Sequence, residues 1–80
     1  MKVIFYTKKG CSLCDDAKLI LEILQKEYNF EIITNDIETN EDWMEKYGIN
    51  IPVVKIDGEV IQEGIIDLLT IEEKVQEHLN

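Results

Sequence analysis

The feature that most restricts what this chain can fold into is a pair of cysteines three positions apart, Cys11 and Cys14. A strand-like apolar run at residues 3–6 precedes the pair, and an amphipathic helical run follows it. Two thiols in a short loop between a strand and a helix are typical of a thiol–disulfide exchange site. The free N–H groups and positive dipole end of the helix would favour the thiolate of Cys11. We therefore predict that Cys11 is the nucleophile.

The second cysteine lies one helical turn deeper on the same face, within reach of a mixed disulfide on Cys11. Cys14 is therefore predicted to be the resolving thiol. Lys8 and Lys9 precede the pair, and Lys18 follows Cys14 by one turn. These lysines either create a local positive charge or are ordinary solvated side chains. The positive charge of Lys8 and the start of the helix both favour the thiolate, so we predict a lowered pKa for the Cys11 thiol.

The overall charge and length limit the function classes. The chain has 80 residues and a formal charge of −9, which predicts one domain, residues 1–80. The negative charge argues against binding to nucleic acid or to an anionic membrane. No stretch approaches the ~18 apolar residues of a membrane span. With no signal-like opening segment, we expect a cytoplasmic monomer.

The first half of the chain has the pattern strand, helix, strand. The first strand covers residues 2–6, and a helix runs from about Ser12 to about Tyr28. Asn29 can end this helix in a left-handed conformation. The second strand covers residues 30–34. Such a unit predicts two parallel strands joined by a right-handed crossover.

A short helix follows, capped by Thr39 or Asn40 and ended before Gly48. The apolar residues of this helix are Trp43, Met44 and Tyr47. We predict that they pack in the core, and the alternative is that they form a patch that binds a partner.

The rest of the chain predicts a hairpin and a last helix. Strands at residues 49–56 and 59–62 flank an Asp57-Gly58 turn. The last helix starts at Asp67 or at Thr70. The order β-α-β-α-β-β-α predicts a four-stranded mixed sheet with helices on both faces.

Three of these features together carry a resemblance to a known family. The segment from Phe5 to Cys14, with sequence FYTKKGCSLC, is similar to the glutaredoxin active-site segment. Pro52 at the start of a strand and Gly58 in a hairpin turn also match. The chain therefore resembles the glutaredoxin-like branch of the thioredoxin superfamily over nearly its whole length. This resemblance implies the thioredoxin fold.

The resemblance also implies a substrate groove. The Ile51–Pro52 peptide is expected to be cis and to face the cysteines, with the backbone of Ile51 pairing with substrate. Tyr6 either lines this groove or rests on the core.

The chain departs from the family pattern at three places. Ser12 and Leu13 stand where classical glutaredoxins usually carry Pro-Tyr. Of the elements that help to hold glutathione, only Gly64 and Asp67 are matched. The second helix is acidic, and Lys46 is its only candidate for glutathione's carboxylate. Whether glutathione or a reductase supplies the electrons is therefore left open.

These features predict an enzyme that reduces protein or low-molecular-weight disulfides through the two cysteines. No bound cofactor or metal is expected, because one cysteine pair supplies two of the four ligands of structural zinc. His78, the single histidine, is near the end of the last predicted helix, where a cation interacts favourably with the helix dipole. Its presence there requires no catalytic or metal-binding role. The alternative is a binding module of the same fold that holds a partner, or a metal or cluster, at the cysteine pair without redox turnover.

Overall fold

The computed structural model of the protein describes residues 1–79. Its elements are β1 (Lys2–Thr7), α1 (Ser12–Glu27), β2 (Glu31–Asp36), a 3-10 turn (Ile37–Thr39), α2 (Glu41–Tyr47), β3 (Val53–Ile56), β4 (Glu59–Glu63) and α3 (Leu68–Leu79). The strands form one mixed sheet in the order β2-β1-β3-β4. This arrangement confirms the predicted element order. None of the helices within residues 1–79 is both long enough and apolar enough to cross a membrane.

Strand pairing follows from the connections. β1 and β2 are parallel because α1 carries the chain back across the sheet, and their register ends at Thr7 opposite Asp36. β3 runs antiparallel to β1 and to β4. The predicted hairpin turn between β3 and β4 is present, with positive φ angles at Asp57 (51°) and Gly58 (81°). His78 joins this turn to the end of α3, because its Nδ1 lies 2.8 Å from the Asp57 carboxylate.

The sheet is covered on both faces, as predicted, because side chains alternate along β1. Val3 and Phe5 pack on one face, and Ile4 and Tyr6 pack on the other. The first cluster, which α1 and α3 cover, consists of Val3, Phe5, Cys14, Ala17, Leu21, Leu24, Phe30, Val54, Ile56, Ile66, Ile71 and Val75. The second cluster, which α2 covers, consists of Tyr6, Ile37, Tyr47 and Val53.

Side-chain caps fix where the two later helices begin. Asn40 caps α2, because its Oδ1 accepts the N–H of Trp43 at 3.2 Å. Asp67 caps α3, because its Oδ2 accepts the N–H of Thr70 at 2.9 Å and the Thr70 hydroxyl at 2.8 Å. The structure therefore selects Asn40 over Thr39 and Asp67 over Thr70 from the alternatives that the sequence allowed.

The prediction that β3 begins near Ile49 is wrong. Residues 48–50 continue as a turn after α2, in which the Asn50 N–H donates to the Tyr47 carbonyl at 2.8 Å. This turn leaves Ile49 98% exposed. Because the strand pairs only from Val53 onward, the apolar run is split between a loop and a strand.

The predicted left-handed residue at Asn29 is also wrong. α1 ends at Glu27, and its C-cap is Tyr28, whose backbone is extended and whose N–H donates to the Leu24 carbonyl at 2.9 Å. The Gln25 side chain donates to the Phe30 carbonyl at 3.0 Å and so holds the chain after the helix. This contact leads the chain directly into β2 without a left-handed residue.

A core substitution tests the packing of α1. Leu21 is fully buried in the first cluster, so Leu21→Ala should lower the free energy of unfolding by about 2–5 kcal/mol. Leu19→Ala is the matched control, because this leucine of the same helix is 58% exposed, and it should cost less than about 0.5 kcal/mol. Urea unfolding of the two reduced variants measures both values. Equal losses would contradict the placement of α1.

The Asp67 cap predicts a pH dependence. The hydroxyl and N–H of Thr70 hold the pKa of the Asp67 carboxyl below its usual range. Its contribution to stability is therefore complete above about pH 4, where the unfolded chain also ionises, and is lost as the pH falls through the lower folded pKa.

Asp67→Asn should therefore reduce the fall in Tm between neutral pH and about pH 2, relative to the unmodified protein. Thermal unfolding across this range measures the difference. Glu45→Gln is the control, because no hydrogen bond to the Glu45 carboxylate occurs within residues 1–79. A profile for Asp67→Asn that parallels the unmodified protein would rule out the cap as the source.

Candidate active site

The junction between β1 and α1 positions the first cysteine. Gly10 turns the chain there with a φ of 73°, which glycine tolerates because it has no Cβ. Cys11 is the N-cap of α1, and its Sγ accepts the N–H of Cys14 at 3.1 Å. A thiolate at this position receives a backbone donor and faces the positive end of the helix dipole.

The two cysteines differ in accessibility. They form a disulfide with their Cα atoms 5.2 Å apart. Cys11 is partly buried, whereas Cys14 is 1% exposed and belongs to the first cluster. An incoming molecule therefore meets Cys11 first, and Cys14 is placed to react with the Cys11 sulfur.

A cleft of about 260 Å³ opens beside Cys14, where β1 and β2 end. Its charged lining residues are Lys8, Lys9, Asp15, Lys18 and Asp36. The three lysines that the sequence indicated therefore do share one site, together with two carboxylates.

Asp36 is a charged lining residue that sequence reasoning missed. Asp36 is distant in sequence from the cysteine pair. It reaches the cleft because β2 pairs with β1 in a register that sets Asp36 opposite Thr7. The signal was available in principle, since the carboxyl ends of parallel strands meet at one edge of the sheet. The predicted end of β2 at Thr34 concealed it.

The proline segment lies at the same end of the sheet. The Ile51–Pro52 peptide bond is cis, as the resemblance implied. Tyr6 pairs with Val53 in the antiparallel register. Pro52, one residue before Val53, therefore lies next to Thr7, where the loop that carries the cysteines begins.

Gly64 holds this segment in place. Its N–H donates to the carbonyls of Asn50 at 3.1 Å and Pro52 at 2.9 Å. Between these two carbonyls, the backbone of Ile51 forms no hydrogen bond within residues 1–79. Both its N–H and its carbonyl are therefore free to pair with a bound chain.

Tyr6 rests on the core, which was one of its two interpretations. It is 8% exposed, its ring stacks on Tyr47 with centroids 4.1 Å apart, and it meets Trp43 edge-on at 5.7 Å. It does not line the cleft beside Cys14. Tyr47 is buried and Trp43 packs half-buried against the second cluster, as predicted. The prediction of core packing is wrong for Met44, which is 49% exposed.

The two stacked tyrosines have opposite electrostatic surroundings. Burial raises the pKa of Tyr6, and its hydrogen bond with Tyr47 raises it further. Burial also acts to raise the pKa of Tyr47, but the Lys55 ammonium, 3.3 Å from its hydroxyl, and the Tyr6 hydroxyl outweigh it. The pKa of Tyr47 is therefore lowered.

The other candidate residues are dispersed. Ser12 and Leu13 are exposed in the first turn of α1. The Asp67 carboxylate is engaged as the cap of α3. The Lys46 ammonium lies 5.4 Å from the centre of the Tyr47 ring. Roles for these side chains in binding substrate or glutathione stay predictions.

Comparison with known families and proteins gives a consistent result. The sequence profile of a family described as Glutaredoxin-like domain (DUF836) matches residues 2–80. The chain is also 33% identical to the glutaredoxin-like protein YDR286C homolog of Dictyostelium discoideum, over 84% of this chain and 68% of that protein.

Solved structures share the fold. Protein Ne2328 from Nitrosomonas europaea superposes with a TM-score of 0.76 at 27% identity, covering 91% of this chain and 88% of that one. A variant thioredoxin from Halobacterium salinarum superposes with a TM-score of 0.75 at 19% identity, covering 99% of this chain and 74% of that one. The likeness to the second structure shows the predicted thioredoxin fold.

The tyrosine surroundings can be tested by titration. Tyr47 should ionise at a lower pH than Tyr6 or Tyr28, because only its pKa is lowered. Lys55→Met should raise the Tyr47 midpoint toward or above the ordinary value near 10. Phenolate absorbance, with Tyr47→Phe to assign the transition and Lys2→Met as the control, measures this shift. An unchanged first transition in Lys55→Met would contradict the assigned cause.

Proposed function

This chain belongs to the glutaredoxin-like domain family, and we propose on that basis that it is a thiol–disulfide oxidoreductase. Its substrates are disulfides of proteins or of low-molecular-weight thiols. The observation that carries the proposal is the contrast at the helix start, where Cys11 is accessible and receives a backbone N–H while Cys14 is buried behind it. This asymmetry supports a nucleophile and a resolving thiol with separate roles.

The first step forms a mixed disulfide. The reduced protein presents Cys11 as a thiolate, which attacks one sulfur of the substrate disulfide. A bond forms between the Cys11 sulfur and that substrate sulfur. The other substrate sulfur leaves as a thiolate and takes a proton from solvent. The free backbone of Ile51 supports pairing with the extended segment on either side of the substrate sulfur.

The second step releases the reduced substrate. Cys14 loses its proton and attacks the Cys11 sulfur, so the bond to the substrate breaks and the substrate leaves as a thiolate. The protein is left with the Cys11–Cys14 disulfide, the form that the structure contains. Two electrons have moved from the protein to the substrate.

The cycle closes when an electron donor reduces this disulfide. We propose glutathione or a protein reductase as the electron donor. The other proposed partners are the disulfide-containing proteins that serve as substrates. A cytoplasmic location belongs to the same proposal, because compartments that keep thiols reduced supply such donors. A monomer is sufficient for the cycle, since both cysteines come from one chain.

Two cysteine variants test the assigned roles. Cys11→Ser should abolish reduction of a small disulfide substrate, because it removes the attacking sulfur. Cys14→Ser should retain the first step and accumulate a mixed disulfide on Cys11. Mass spectrometry of acid-quenched protein measures both species. Dithiol turnover in the Cys11 variant would overturn the roles.

A redox titration of the unmodified protein separates the donors and the competing function. Equilibration in glutathione buffers should give loss of two hydrogen atoms with a defined midpoint. A glutathione adduct on Cys14→Ser would favour glutathione as donor, and disulfide formation without an adduct would favour a protein reductase. If no disulfide forms at any poise, or if freshly purified protein carries a stoichiometric metal and shows no turnover, the chain is a binding module instead.

A further inference from the structure

The resolving step requires the thiolate of Cys14, but the apolar surroundings of this buried residue favour the neutral thiol. A thiol surrounded by apolar groups has a raised pKa, and only its thiolate can attack the mixed disulfide. The first cluster surrounds Cys14 with Ala17, Phe5 and other apolar side chains. Cys14 lines the cleft at the ends of β1 and β2, so charged side chains in this cleft can act on its thiolate in addition to the start of α1.

Five charged residues line this cleft around Cys14. Two lysines come from the loop before α1, one lysine and one aspartate come from α1, and one aspartate comes from the end of β2. They are Lys8, Lys9, Lys18, Asp15 and Asp36. Cations outnumber carboxylates, although the chain as a whole has a formal charge of −9.

Among the three lysines, Lys18 is the one held by a regular element. It follows Cys14 by four residues on α1, so the two side chains lie on one helix face with their Cβ atoms about 5–6 Å apart. Side chains on a helix lean toward its N-terminus, which carries the Lys18 side chain over the turn that contains Cys14. Lys8 and Lys9 are exposed and belong to a loop, so their ammonium groups are less constrained.

We infer that Lys18 is a positioning residue that stabilises the thiolate of Cys14 and so accelerates the resolving step, while Asp36 opposes it from the end of β2. This inference rests on the proposed exchange reaction. The Cys14 proton passes to water or buffer, the Cys14 sulfur bonds to the Cys11 sulfur, and the substrate sulfur leaves and is protonated by solvent. Lys18 keeps its proton throughout and acts only through its charge.

The first test is a thiol titration in a Cys11→Ser background, where Cys14 is the only thiol. Lys18→Gln should raise the Cys14 titration midpoint by roughly half a unit to one unit, because solvent screens an exposed ammonium. Lys18→Arg should restore the midpoint, and Asp36→Asn should lower it. Lys26→Gln is the matched control, since it removes the same charge from the last turn of the same helix, outside the cleft. Ultraviolet thiolate absorbance and the rate of alkylation against pH give the midpoints.

The second test follows the reaction in the dithiol protein by rapid mixing with a small disulfide and acid quenching. With Lys18→Gln, the mixed disulfide on Cys11 should persist roughly three- to tenfold longer below the Cys14 midpoint, which is the same shift in pKa expressed as thiolate fraction. The rate of mixed-disulfide formation should stay within about twofold.

The outcomes separate this inference from the proposed function. If the unmodified protein exchanges disulfides but Lys18→Gln and Lys26→Gln have the same Cys14 midpoint and the same mixed-disulfide lifetime, the role of Lys18 is overturned and the function stands. If the unmodified protein reduces no disulfide and Cys14→Ser forms no mixed disulfide, the proposed function fails, and the titration alone still decides whether Lys18 acts on Cys14. Circular dichroism of each variant confirms that the compared proteins are folded.

Discussion

The active end of this protein depends on the junction between β1 and α1. Parallel pairing of β1 with β2 requires a crossover, and α1 supplies it by laying Ala17, Leu21 and Leu24 on the sheet. Once that face is buried, the rotation of the helix is set, and its first turn must place Cys14 inward and Cys11 at the cap. The same burial that stabilises the fold therefore decides which sulfur solvent reaches.

Local signals in the sequence were sufficient for much of this arrangement. Three signals depend only on neighbouring residues, and each predicted its element correctly: the apolar run of β1, the helical spacing after Cys11 and the Asp57-Gly58 turn. The cysteine pair itself identified the candidate site. The cis bond at Pro52 came only from the family resemblance, because nothing in the local sequence distinguishes it from an ordinary proline at a strand start.

The features that were missed depend on contacts between distant parts of the chain. Ile49 looks like a strand residue, but the pairing of β3 with β1 starts only at Val53 and leaves Ile49 in solvent. Asp36 joins the cleft through strand register, which hydrophobic spacing does not report. The sequence allowed two positions for Tyr6, and its stacking on Tyr47 decides between them. The sequence also allowed two caps for α3, and the direction of the Asp67 carboxylate decides between those.

Cys14 is at once a member of the hydrophobic core and one half of the disulfide. Oxidation and unfolding are therefore two sides of one thermodynamic cycle. The difference in unfolding free energy between oxidised and reduced protein equals the difference in oxidation free energy between the folded and the unfolded chain. A substitution at Ile71 or Val75, in α3 and remote in sequence, can then change the reduction potential whenever the two redox forms tolerate it unequally. In this small fold, the apolar interior is itself part of the redox couple.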